Sequence, residues 1–151
     1  MQIVIRKYEP KDEKSVNKIN KLTLEINFSS IYGIFHRNYP DLFLVAENRT
    51  SKEIVGFVLV AITKKFEQND SGLIYAIGIH PKYQNKGIGK QLVNKVIENL
   101  KKRNIKSLYL HVKETNQKAI NFYSNLGFEI IEHIKKFYSW GEGAYRMRLS
   151  I

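Results

Sequence analysis

An α/β domain with one mixed sheet and helices on both of its faces is predicted from three features of the sequence. Runs of strand length and patterns of helical period follow one another in the order β-α-α-β-β-β-α-β-α-β-β. A glycine-bearing turn, Gln84-Asn85-Lys86-Gly87-Ile88-Gly89, joins a strand-like segment to a strongly periodic helix. The 151 residues hold no internal repeat, low-complexity tract or linker, so a single domain over residues 1–151 is expected.

Ile3 to Arg6 alternates weakly and suits an edge strand, after which Pro10 and Asp12 set up a helix with Val16, Ile19, Leu22 and Ile26 on its apolar side. Phe28 to Asn38, with Ser29 as N-cap, reads as a shorter helix that must end before Pro40. Leu42 to Glu47 and Ile54 to Lys64 are β-rich and joined by a polar stretch, which predicts a hairpin. The polar run Glu67 to Gly72 then turns into a strand from Leu73 to Ile79. Leu92, Val93, Val96, Ile97 and Leu100 recur at helical spacing from Ile88 onward, giving a helix that presses one face on the sheet. Ser107 to Val112 is the next strand. Asn116 can cap a helix that places Ile120 and Tyr123 on one side and closes at Gly127 in the left-handed conformation. Phe128 to Ile134 and Ala144 to Leu149 complete the order as strands.

With no cysteine there is no disulfide framework, no thiolate nucleophile and no Cys-ligated zinc, which fits a cytosolic protein. His36, His80, His111 and His133 are scattered without helical metal-ligand spacing, so no metal is expected. The longest apolar run, Ile54 to Thr63, is far short of a membrane span, and the N-terminus lacks a signal-peptide layout. A soluble, cytoplasmic protein without a membrane role is expected. The formal net charge of +11 raises the question of nucleic acid. Lys and Arg are spread along the chain, apart from Lys101-Lys102-Arg103, which predicts a solvated basic surface without a specific nucleic-acid site. Such a field also draws an anionic cofactor, and it leaves docking to a ribosome open.

The turn at 84–89 is built to hold phosphate, because amides at a helix start point outward unpaired and the macrodipole adds positive charge there. Two standard phosphate motifs fail letter by letter. A P-loop needs a leading glycine where Gln84 stands and Ser or Thr where Gln91 stands, and the dinucleotide fingerprint finds Leu92 at its third glycine. What remains, Gln-x-x-Gly-x-Gly after a strand and Pro81-Lys82-Tyr83, resembles the pyrophosphate loop of the GNAT N-acetyltransferases, which bind acetyl-coenzyme A. Tyr109 to Phe128, with Asn116, Phe122-Tyr123 and Gly127-Phe128, is similar to that family's other signature. The likeness runs from about Ile54 to Leu149, and Phe137 to Leu149 resembles the protein N-terminal branch.

The resemblance implies a mostly antiparallel sheet of about seven strands, splayed between the strands at Leu73–Ile79 and Ser107–Val112. It implies acetyl transfer from acetyl-CoA to the N-terminal α-amine of proteins, by direct attack in a ternary complex. In that reading Ile77, Gly78, Ile79, Gln84, Asn85, Lys86, Gly87, Ile88, Gly89, Lys90, Asn116 and Tyr123 bind the cofactor, largely through main chain. His111 is the candidate general base, since an imidazole is mostly neutral at pH 7. Tyr123 is the candidate proton donor to the departing thiolate. Phe28, Leu73, Tyr75, Phe137 and Tyr138 would form the acceptor groove. Leu73 stands where some relatives carry a catalytic tyrosine, and Ile26, with Glu25 one step earlier, where archaeal relatives carry a glutamate. A packed histidine and a packed tyrosine are the structural alternatives for His111 and Tyr123. Acceptors other than a protein N-terminus, a lysine side chain or a small amine, and a non-catalytic CoA-binding or ribosome-associated module are the alternative functions.

Overall fold

The computed structural model describes residues 2–23 and 29–151. Its strands, β1 (Ile3–Lys7), β2 (Phe43–Asn48), β3 (Glu53–Thr63), β4 (Ser71–Ile79), β5 (Ser107–Lys113), β6 (Glu129–Ile134) and β7 (Ala144–Ser150), form one sheet ordered β1-β2-β3-β4-β5-β7-β6. Every pairing is antiparallel except β4 with β5. The helices are α1 (Glu13–Thr23), α2 (Ser29–Asn38), α3 (Ile88–Lys102) and α4 (Gln117–Asn125), with 3-10 turns at Pro10–Asp12 and Pro81–Tyr83.

The sheet separates two cores. On one face Leu42, Leu44, Val58, Val60 and Ile74 meet Ile88, Leu92, Val93, Val96 and Leu100 of α3 and Ile120 and Tyr123 of α4. On the other, Phe43, Val45, Phe57, Leu59 and Ala76 meet Val16 and Ile19 of α1 and Tyr32 and Phe35 of α2. β2 and most of β3 are buried on both sides, which is why their sequences run apolar without alternation. Leu92 has no exposed surface at the centre of the α3 face. Leu92→Ala should therefore cost about 2–5 kcal/mol of stability, read from denaturant unfolding of the two proteins.

Three sequence-based expectations change. Leu22 is 51 % exposed, and the inward place on α1 goes to Asn20, fully buried with its amide donating to the Tyr32 hydroxyl at 3.1 Å. Ser29 is the first residue of α2 instead of its cap, and Ile26 and Phe28 lie outside the described residues. Phe128 precedes β6, buried on the α4 side, where its amide bonds the Tyr123 carbonyl. Gly127 is left-handed at φ +101°, as expected. The Lys101-Lys102-Arg103 run sits at the C-terminal end of α3, where cations complement the helix dipole, and Arg103 also holds Asp41.

The parallel pairing of β4 and β5 is short. Only Gly72↔Leu108 and Leu73↔Tyr109 are in register, fastened at that end by a buried Ser107–Ser71 hydroxyl contact of 3.0 Å. Beyond it the strands diverge. β4 also carries a bulge: Ile74 opposes Val60 and Ala76 opposes Leu59, leaving Tyr75 as the extra residue. Ile74 consequently faces α3, whereas Ala76 faces α1 and α2.

Candidate active site

The opening between β4 and β5 is lined by peptide groups whose direction follows from the register. His80 N–H bonds the Val55 carbonyl of β3 at 2.8 Å, so the peptide groups of Ile79 and Ile77 point to the opposite edge, into the opening. On β5 the Glu114 amide bonds Gly143 at 3.1 Å on the β7 side, which turns the main chain of Lys113 and His111 toward the same opening. Two of these carbonyls are already used. Gln84 Nε2 donates to Ile79 O at 3.0 Å, and Asn116 N–H donates to Lys113 O at 2.9 Å. The Ile79 N–H and both polar groups of Ile77 are left facing the gap.

At one end of this opening stands the start of α3. Asn85 and Gly87 are left-handed at φ +62° and +82°, and Gly87 is the N-cap, with space open around the place of a β-carbon. The first helical bond runs from Gln91 N–H to Gly87 O at 3.1 Å, so the amides of Ile88, Gly89 and Lys90 precede any intrahelical acceptor. Gly89 serves a different purpose from Gly87. A β-carbon there would stand 3.0 Å from Phe122 Cζ, so α3 and α4 approach each other through it. Lys82, Lys86 and Lys90 are exposed around this turn, and Lys118 of α4 reaches Gln84 Oε1 at 3.2 Å. Asn116 caps α4, accepting from Ala119 N–H at 3.1 Å. Tyr123 lies on the α4 side of the sheet, 8 % exposed, edge-on to Phe122 and Phe128. Burial raises its phenol well above the usual range, which keeps it protonated.

His111 occupies the opposite face. Pairing puts it beside Arg146 of β7, with Tyr109 beside Arg148 two residues along. Its ring stacks on Phe137 at 4.6 Å between centroids and 21° between planes, and Phe66 meets it edge-on at 5.7 Å. Arg146 Nε donates to His111 Nε2 at 3.2 Å, while Nη1 of Arg146 pairs with Glu132 of β6. Burial first, and then the charge of Arg146, lower the proton affinity of His111, against an opposing pull from Glu132. Next to it the Tyr109 hydroxyl donates to Glu67, and Arg148 Nε reaches both at 3.1 and 3.3 Å. That bond to Tyr109, ahead of Arg148, holds the Glu67 carboxyl below its ordinary range. Toward the β6–β7 turn, Tyr138 stacks on Trp140 at 4.7 Å and Lys113 Nζ lies 5.3 Å from the indole centroid.

A family model described as Acetyltransferase (GNAT) family matches residues 7–128. The chain belongs to that family. Among similar GNAT proteins is the N-alpha-acetyltransferase of Sulfurisphaera tokodaii, 30 % identical over 95 % of this chain and 90 % of that one. Ard1 from Thermoplasma volcanium superimposes with a TM-score of 0.88 at 26 % identity, covering 100 % of this chain and 99 % of that one. Naa20 of Chaetomium thermophilum, solved in complex with a bisubstrate analogue, gives a TM-score of 0.87 at 25 % identity over 98 % of this chain and 86 % of its own.

In this GNAT sheet the residues singled out in the sequence divide between two faces. Ile77, Ile79, Gln84 to Lys90, Asn116 and Tyr123 gather at the start of α3, at α4 and along the opening. His111, Leu73, Tyr75 and Phe137 lie on the α1/α2 face, where Tyr75 meets Phe35 of α2 at 5.5 Å between ring centroids. Gly78 faces that side as well: a β-carbon on it would meet Thr23 Oγ1 at 2.8 Å and Phe57 at 2.9 Å. Phe28 is outside the described residues. Reading the sequence missed Phe66, Glu67, Tyr109, Glu132, Arg146 and Arg148. The alternation Arg146-Met147-Arg148 was the available signal, since period two places both arginines on the face opposite a buried methionine. Among the described residues no helix is long and apolar enough to cross a membrane, and no three His, Cys, Asp or Glu side chains converge as a metal set.

Proposed function

We propose that this chain transfers the acetyl group of acetyl-CoA to the N-terminal α-amine of peptides and proteins, by direct attack with both reactants bound. The observation that carries the reading is the two-sided opening, with a phosphate-ready helix start and Tyr123 on one face and His111 on the other. The residues fit the cofactor. The amides of Ile88, Gly89 and Lys90 and the open cradle at Gly87 suit a diphosphate, and the inward edge of Ile77 and Ile79 suits an amide-bearing arm laid beside β4 as an added strand. When bound, the cofactor supplies an acetyl thioester.

The protein's own groups divide the remaining work. Ile79 N–H, aimed into the opening, is placed to stabilise negative charge developing on an acyl oxygen, a contribution worth a few kcal/mol in comparable sites. His111, neutral at pH 7, takes a proton from the acceptor ammonium directly or through water. Tyr123, a phenol kept protonated by burial, returns one to the departing sulfur. Asn116 fixes the start of α4 and so the position of Tyr123. Leu73, Tyr75, Phe137 and Tyr138 line the acceptor side. One acetyltransferase domain spanning residues 1–151, acting in the cytoplasm, belongs to the same reading, and the +11 charge suits close approach to ribosomal RNA.

An acceptor panel tests it. Short peptides with free α-amines, α-blocked lysine peptides and spermidine are each incubated with acetyl-CoA while free thiol is followed. Thiol release is expected on the free α-amines, with mass spectrometry placing the acetyl group on the first residue. Turnover confined to α-blocked lysine or to spermidine would reject the proposed acceptor.

A further inference from the structure

Arg146 on β7 stands directly across from His111 on β5, and its guanidinium is held from three sides. Its Nε donates to Nε2 of His111 at 3.2 Å, Nη1 pairs with Glu132, and its flat face lies 4.6 Å from the centroid of Phe66. The imidazole is fixed just as firmly, between the stacked ring of Phe137 and the edge of Phe66. Neither plane can rotate freely.

A guanidinium has only donors, so Nε2 is the acceptor in this contact and the neutral ring carries its hydrogen on Nδ1. A proton arriving at Nε2 would meet the Arg146 N–H head on. His111 can therefore be protonated there only when Arg146 has turned away, and Glu132, already bonded to Nη1, gives the guanidinium a place to stay. Among the described residues Lys113 on β5 lies on the same face, as do Arg148 and Glu67, which are joined through Tyr109. Arg146 and Glu132 are the two that act on His111 itself.

We propose that Arg146 is a positioning residue that selects the Nδ1–H form of His111 and withholds its Nε2 lone pair until the acceptor ammonium, or its water, competes for it. The inference rests on reading His111 as the base. In the step itself one N–H bond of the ammonium breaks and one forms at Nε2. The Arg146 to His111 hydrogen bond is lost, and Arg146 keeps all of its hydrogens. The neutral amine is released for attack only as the imidazolium forms.

The test is long-range proton–nitrogen NMR of the imidazoles in the full-length 15N-labelled protein across pH, with His111→Ala assigning the signal. Wild type should show the Nδ1–H pattern at neutral pH and a low titration midpoint. In Arg146→Met the midpoint should rise and the pattern shift toward Nε2–H, the form an unconstrained histidine side chain favours; in Glu132→Gln the midpoint should fall. Arg146→Lys keeps the charge without the fixed Nε–H, so its midpoint should stay low while the tautomer relaxes, which separates hydrogen bond from charge and serves if the methionine variant fails to fold. A wild-type ring carrying Nε2–H, or identical tautomer and midpoint in the Arg146 variants, overturns the proposal. The acidic limb of kcat/KM should follow the NMR midpoint. A midpoint that moves while the limb stays put would leave the Arg146 coupling standing and remove His111 as base.

Discussion

Valine in place of Gly87 is expected to weaken acetyl-CoA binding by about 10- to 100-fold. Gly87 holds φ +82° at the N-cap of α3, a conformation in which a β-branched residue is strained by roughly 1–3 kcal/mol. Nothing lies within 4 Å of a β-carbon there, so the substitution does not crowd the core. The chain instead relieves its strain by turning the loop out of shape, and the amides of Ile88, Gly89 and Lys90 cease to converge on one point. Calorimetric titration of CoA, with thermal unfolding as a control, reads the two effects apart. Undiminished affinity in a folded Gly87→Val protein would mean that the diphosphate sits elsewhere.

His111→Ala is expected to lower kcat by about 10²- to 10⁴-fold near neutral pH, with little change in the KM for acetyl-CoA, because the histidine lies across the sheet from the helix start. The wild-type pH profile carries the sign. Burial and Arg146 disfavour the imidazolium, so the ring is neutral at pH 7 and activity should fall only as acidification charges it, below the ordinary imidazole midpoint. The alanine variant should lack that limb. An acidic limb of the same position in both proteins would assign it to another group, with Glu132 and Glu67 as the carboxylates to test on that face.

The elements were legible because their patterns were local. α3 announced itself by Leu92, Val96 and Leu100, and the phosphate-ready turn by its two glycines after a strand. Two features were not legible for a common reason: they depend on pairing partners far apart in the chain. The order that inserts β7 between β5 and β6 brings Arg146 beside His111 across 35 positions of sequence, and no spacing rule reveals such a neighbour. Leu22 misled because steps of three residues from Val16 through Ile19 drift round the helix, away from the face that Val16, Asn20 and Thr23 turn to the sheet, whereas Asn20 could be buried only because Tyr32, on another helix, supplies its partner. The division of the site into two faces is likewise a property of the sheet as a whole.

The extra residue at Tyr75 acts as a phase shifter in β4. Were Tyr75 to pair with Leu59 in a regular ladder, the stretch from Ala76 to Ile79 would advance by one position along β3, exchanging inward and outward side chains and, with them, the edge to which each peptide group is offered. Isoleucine side chains would be forced toward α1, where the room now allows only glycine and alanine, and the peptide groups that now face the opening between β4 and β5 would be spent on holding β3. The place of the bulge thus decides which peptide groups line the opening, and it is far less free to vary than the residue types around it.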